Sequence, residues 1–102
     1  MENISDRIKS IVRDVPNFPK EGITFKDIAP LLADPVTSEE VIEVMVREIV
    51  TRRIKVDAIS GMESRGFLYG LSLAIKLGVP FIPVRKAGKL PFHKIKKEYQ
   101  LE

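Results

Sequence analysis

The chain has 102 residues, 44% hydrophobic and 30% charged, with no cysteine, one histidine and a formal net charge of +3 at pH 7. These values fit one small globular domain and exclude a disulfide scaffold, a thiolate metal site, cysteine catalysis and a multi-histidine metal centre. No apolar run approaches the ~20 residues of a spanning helix, and the start of the chain lacks the basic and apolar regions of a signal peptide, so a soluble cytoplasmic protein is expected.

Ile4, Ile8, Ile11, Val12 and Val15 recur at helical spacing and predict an amphipathic helix over residues 4–15, stopped by Pro16. A turn-rich connector follows over 16–22, and residues 23–28 read as a short strand ending at Pro30. Thr37-Ser38-Glu39-Glu40 has the form of a capping box, which predicts a second helix from Thr37. Val41, Ile42, Met45, Val46 and Ile49 would form its buried stripe, with Met45 as core filling.

Residues 56–60 read as a strand running into the loop Gly61-Met62-Glu63-Ser64-Arg65-Gly66. A helix is predicted from about Gly66 to Leu77, with Gly78 just beyond it at the position that favours positive φ. Residues 79–84 form a nearly continuous apolar strand, as expected where both faces are covered, although Pro80 and Pro83 make part of it edge-like. Residues 56–84 therefore predict a right-handed βαβ unit with parallel strands. Two parallel strands do not make an independent domain, so the chain reads as the front part of a larger α/β domain.

Charge is unevenly spread. Residues 85–102 hold six basic and two acidic side chains, so +4 falls there and −1 on the other 84 residues. In open α/β sheets the ligand lies beyond the carboxyl ends of the strands, which here are the Gly61–Gly66 loop and the segment from Arg85 onward. The first combines a helix N-terminus with Arg65, and small residues (Ser60, Gly61, Ser64, Gly66) that would let a phosphate oxygen approach the backbone. The second brings Arg85, Lys86 and Lys89 to the same edge. Such a rim points to a polyanion such as pyrophosphate. The alternative to the anion site is that Arg65 pairs with a structural carboxylate while the lysines are solvated; on pattern alone Phe25 reads as core packing.

Val15-Pro16-Asn17-Phe18-Pro19, Gly22 to Ile28, Ser60 to Phe67, Pro83 to Pro91 and Tyr99 to Glu102 occur in one order at matching separations. In these blocks the chain resembles the adenine phosphoribosyltransferase family of the type I phosphoribosyltransferases, in its N-terminal part. The resemblance implies an α/β chain: an incomplete type I fold with an N-terminal hood and the first βαβ of a mostly parallel sheet. It divides one partial domain into a hood and adenine-pocket segment (1–36), the start of the α/β core (37–85) and a mobile catalytic loop (86–102).

The implied reaction transfers a phosphoribosyl group from phosphoribosyl pyrophosphate to adenine, giving AMP and pyrophosphate in purine salvage. The resemblance implies that Phe25 stacks on adenine, while backbone groups of Thr24 and Lys26 bond its edge. Glu63, Ser64, Arg65, Arg85 and Lys89 would hold pyrophosphate, with a cis peptide bond at Glu63–Ser64. Glu102, Arg65 and Lys89 would be catalytic, Glu102 handling the proton on the purine nitrogen. Mg²⁺ would be bound mainly through substrate, with no protein metal site, and the complete protein would be a homodimer without nucleic-acid or membrane partners.

The family's second motif, two adjacent acidic residues followed by a Thr- and Gly-containing turn for the ribose 5-phosphate, has no counterpart here. That leaves open a catalytically inactive purine- or pyrophosphate-binding or regulatory module. A nucleic-acid-binding arm at 85–97 is a further alternative; it lacks interleaved aromatics beyond Phe92.

Overall fold

The computed structural model describes residues 3–88, and contacts divide the chain between Arg53 and Ile54 into two compact units. Residues 89–102, which include Lys89 and Glu102, lie outside the described residues.

In the first unit, helix α1 (Ile4–Ile11) starts at Asn3, whose side chain accepts the Asp6 N–H at 2.9 Å. The helix ends four residues before the point predicted. Val12 is extended, with ψ at 132°, and residues 13–15 form strand β1 (Arg13–Val15). Two causes are visible. Pro16 disfavours helical backbone at Val15, and β1 pairs antiparallel with β2 (Phe25–Asp27), setting Arg13 opposite Asp27, Asp14 opposite Lys26 and Val15 opposite Phe25.

Both charged cross-strand pairs form, Lys26 Nζ to Asp14 Oδ1 at 2.7 Å and Arg13 Nη1 to Asp27 Oδ2 at 3.8 Å. Exposed pairs of this kind contribute only ~0–1 kcal/mol each, so they act more on register than on stability. The connector is closed by its own bonds: Asn17, at φ 56°, accepts the Gly22 N–H through Oδ1, and the Phe18 N–H bonds the Ile23 carbonyl.

The predicted strand over 23–28 shrinks to the three residues of β2, because Pro30 belongs to a short helix, α2 (Ala29–Leu32), that the periodicity did not reveal. The third helix, α3 (Pro35–Thr51), begins two residues before the predicted Thr37. Its N-cap is Asp34, and Pro35 occupies the first turn, where a missing N–H costs nothing. Asp34 Oδ1 accepts the Thr37 N–H and Oδ2 accepts the Thr37 hydroxyl, both at 3.0 Å, so Thr37 is buried beneath the cap instead of being the cap. Leu31 and Ile42 are buried, and an Arg7–Glu40 ion pair ties α1 to α3. Met45 is exposed rather than core filling, because the stripe is buried chiefly through Ile42.

In the second unit, β3 (Ile59–Met62) and β4 (Phe81–Val84) pair in parallel around α4 (Arg65–Leu77), so the predicted βαβ unit is present. The first strand lies later than predicted, running through Gly61 and Met62, since the ladder places Gly61 opposite Pro83 and Met62 opposite Val84. Gly78 closes α4 with φ at 69°, as its position predicted. Phe81 packs inward, edge-on to Phe67 at 5.9 Å, and Ala74 is 1% exposed. The outward side chains of β4, Ile82 and Val84, are exposed, so this strand is not covered on both faces.

Candidate active site

The turn between β3 and α4 and the first residue of that helix carry Glu63, Ser64 and Arg65 of the predicted anion-binding residues. The Glu63 N–H donates to the Val84 carbonyl at 2.9 Å, extending the parallel ladder one residue beyond Met62. The next peptide bond, Glu63–Ser64, is cis, at the position named from the sequence. Ser64 is the N-cap of α4 but makes no side-chain capping bond. The helix therefore opens beside a hollow of about 490 Å³ lined by Met62, Glu63, Ser64, Arg65, Gly66 and Lys86. A helix N-terminus with a guanidinium and an ammonium at one hollow is suited to an anion.

The smallness of Gly61 and Gly66 has a use inside the protein. A Cβ on Gly61 would stand 2.4 Å from the Gly66 carbonyl oxygen, and a Cβ on Gly66 would stand 3.0 Å from Gly61 Cα. The two backbones touch, so these glycines are needed for the loop to close on itself before any phosphate arrives.

Arg85 leaves β4 at the same end of the sheet but is not among the residues lining the hollow. Its Nε donates to Glu63 Oε1 at 3.0 Å, and the same oxygen accepts the Lys86 N–H at 3.2 Å. Glu63 thus turns its carboxylate toward the segment after β4, a role that motif reading did not find. Its signal was a lone acid in a loop otherwise made for an anion. Arg65 and Ser64 are exposed, Glu63 half-buried.

In the first unit Phe25 is half-buried in β2, with its ring edge-on to Phe18 at 5.3 Å and an interplanar angle of 69°. Thr24 immediately precedes the strand; it is exposed, as is Lys26, whose ammonium is engaged by Asp14. Thr24 and Lys26 flank Phe25 in the chain, Thr24 just outside the strand and Lys26 within it.

No protein-family model matches the chain. Among solved structures, adenine phosphoribosyltransferase from Thermoanaerobacter pseudethanolicus superposes with a TM-score of 0.86 at 45% identity, over 93% of this chain and 55% of that one. The Saccharomyces cerevisiae enzyme, complexed with adenine and an imino-altritol bisphosphate, gives 0.85 at 42% identity, over 91% and 56%. Curated adenine phosphoribosyltransferases from Cytophaga hutchinsonii and Francisella philomiragia are 45% and 50% identical over 99% and 95% of this chain. The chain spans about half the length of the curated relatives it matches, 55% in both cases.

The architecture is therefore a type I phosphoribosyltransferase fold, present in part. Within that class the chain resembles the adenine phosphoribosyltransferases, and the resemblance covers essentially all of it.

Proposed function

We propose that this chain serves phosphoribosyl transfer from phosphoribosyl pyrophosphate to adenine, giving AMP and pyrophosphate. The observation that carries the reading is 45–50% identity to adenine phosphoribosyltransferases over at least 95% of the chain. The hollow at the start of α4 supports it chemically, since Arg65 and Lys86 line it beside an open helix N-terminus.

In this reading Ser64 and Arg65 hold the pyrophosphate group together with Arg85 and Lys89. Glu63 contributes from the same turn. Phe25 stacks on adenine, and backbone groups of Thr24 and Lys26 bond the purine edge. Displacement at the anomeric carbon builds positive charge on the ribose ring and negative charge on the departing pyrophosphate. Fixed cations stabilise the latter most when it is fully developed, which lowers the barrier. Glu102 handles the purine proton, and residues 86–102 close over the substrates. Mg²⁺ would be held mainly through the substrate, where it would offset negative charge on the departing pyrophosphate. The complete protein works in the cytoplasm as a homodimer.

A second reading is a purine- or pyrophosphate-binding or regulatory module without catalysis, which rests on the same anion-suited hollow at the start of α4. The test combines the intact mass of the native product with AMP formation from labelled adenine, phosphoribosyl pyrophosphate and Mg²⁺. AMP formed by the 11.5 kDa chain supports transfer by this chain itself. A larger native product that forms AMP assigns the activity to the longer chain. Binding of adenine or pyrophosphate without AMP favours the module, and no binding of either overturns both.

A further inference from the structure

A carboxylate lining a hollow that otherwise suits an anion repels the ligand, so Glu63 needs a reason to be there. The structure gives one. Its backbone N–H extends the β3–β4 ladder to Val84, and its Oε1 accepts both Arg85 Nε at 3.0 Å and the Lys86 N–H at 3.2 Å. The side chain is 16% exposed against 36% for Arg85, so the bond is partly shielded from water and salt. Lys86 lines the hollow, and its backbone is held by this same oxygen. The ion pair engages Arg85 through Nε, which leaves the terminal amino groups of the guanidinium outside that bond.

We infer that Glu63 is a positioning residue: its carboxylate holds Arg85 beside the Met62–Gly66 hollow and fixes the backbone of Lys86, which lines it, so the anion affinity of these cations depends on it. The inference rests on the proposed pyrophosphate site and deepens it. Two effects of opposite sign decide the outcome. Removing the carboxylate relieves repulsion of the anion, but it frees an arginine and a backbone amide that must then be ordered by the ligand at an entropic cost.

The test is calorimetric titration of inorganic pyrophosphate into the 102-residue chain, with Glu63→Ala, Glu63→Gln, Arg85→Ala and the Glu63→Ala/Arg85→Ala double variant. Glu63→Ala is expected to weaken binding by about tenfold, the scale of a charge-assisted hydrogen bond, even though it removes a negative charge. Glu63→Gln, which keeps an acceptor for the Lys86 N–H, should fall between Glu63→Ala and the parent chain. The double variant should bind no more than about twofold more weakly than Glu63→Ala, because the arginine is no longer placed.

Unchanged or tighter binding by Glu63→Ala overturns the inference, and so does strict additivity in the double variant. If Glu63→Ala does not fold, binding by Glu63→Gln as tight as the parent's overturns it instead. The Arg85 Nε–H proton exchange rate, read by NMR in the free chain, separates this inference from the reading beneath it. A slowed Nε–H that Glu63→Ala accelerates, in a chain that binds no pyrophosphate, removes the pyrophosphate site while retaining the Glu63–Arg85 placement. An Nε–H exchanging at the rate of a free arginine removes the placement itself.

Discussion

Gly61 and Gly66 meet backbone to backbone: a Cβ added to Gly61 would lie 2.4 Å from the Gly66 carbonyl oxygen and 2.8 Å from its carbon. Neither atom can rotate away, because Gly66 lies in the first turn of α4 and Gly61 pairs with Pro83 in the sheet. Gly61→Ala should therefore cost at least the ~1–3 kcal/mol typical of overpacking, and it should deform the hollow. Gly70 offers a contrast, since the three atoms nearest its added Cβ all belong to the Phe81 ring, Cε1 at 2.5 Å. A ring can shift, so Gly70→Ala should cost less. Urea unfolding of both variants checks the order, and pyrophosphate titration checks that Gly61→Ala loses more binding.

Asp34 caps α3 through two bonds to Thr37, and those bonds hold its carboxyl below the usual carboxylate range, with a smaller contribution from Arg7. A carboxyl depressed in the folded state contributes fully above its unfolded pKa and loses that contribution as pH falls through the folded pKa. Thermal stability should therefore decline on acidification below the ordinary carboxylate range. Asp34→Ala should lower Tm at neutral pH and make that acid decline shallower. Thermal melts followed by circular dichroism from neutral to acidic pH measure both slopes; parallel slopes would remove the cap from the account.

Phe25 and the Glu63–Arg65 turn lie in different units. If Phe25 stacks on the purine, Phe25→Ala should weaken adenine by about tenfold or more, the scale of base stacking on an aromatic ring. Pyrophosphate binding should stay the same. Because Phe25 also contacts Phe18 edge-on, Phe25→Leu serves as a companion that retains apolar bulk. Titration of each ligand separately tells a stacking role from a general loss of structure, which would weaken both.

Arg65 is exposed at the first turn of α4 and lines the hollow. Arg65→Ala should reduce pyrophosphate affinity by roughly tenfold to a hundredfold, as expected for a charge-assisted contact to a phosphate oxygen. The same change should move the urea midpoint little, since exposed ion pairs contribute ~0–1 kcal/mol. Losses of stability and binding in equal measure would give Arg65 a structural role.

Local pattern alone was enough to locate the βαβ unit and the stop at Gly78; of the predicted loop Gly61–Gly66 only Glu63 and Ser64 are a turn, since Gly61 and Met62 belong to β3 and Arg65 and Gly66 to α4. Apolar runs, a glycine-bounded loop and a helical period are all properties of neighbouring residues in the chain. The cis bond at Glu63–Ser64 and the stacking role proposed for Phe25 came from the family resemblance, which compares whole motifs and not periods. The failures were of another kind. Ile4 to Val15 keeps a helical period to its end, yet residues 13–15 become a strand because Asp27, Lys26 and Phe25 stand opposite them. Thr37 has the residue type of a cap, but Asp34 reaches its N–H first and Pro35 fits the first turn. Both outcomes depend on competition between local preference and a partner elsewhere in the chain.

The site divides along the same line. The cations and small residues that suit an anion were legible from residue type and from their place after the two parallel strands. Which of them face the hollow was not, because Lys86 and Arg85 are adjacent in the chain and chemically alike. Only the folded backbone, by bringing the Glu63 carboxylate within 3.0 Å of Arg85 Nε and 3.2 Å of the Lys86 amide, separates the lysine that lines the hollow from the arginine held beside it. Hydrogen bonds reach about 3 Å and residues 22 positions apart meet at that range only through sheet register, which no local pattern encodes.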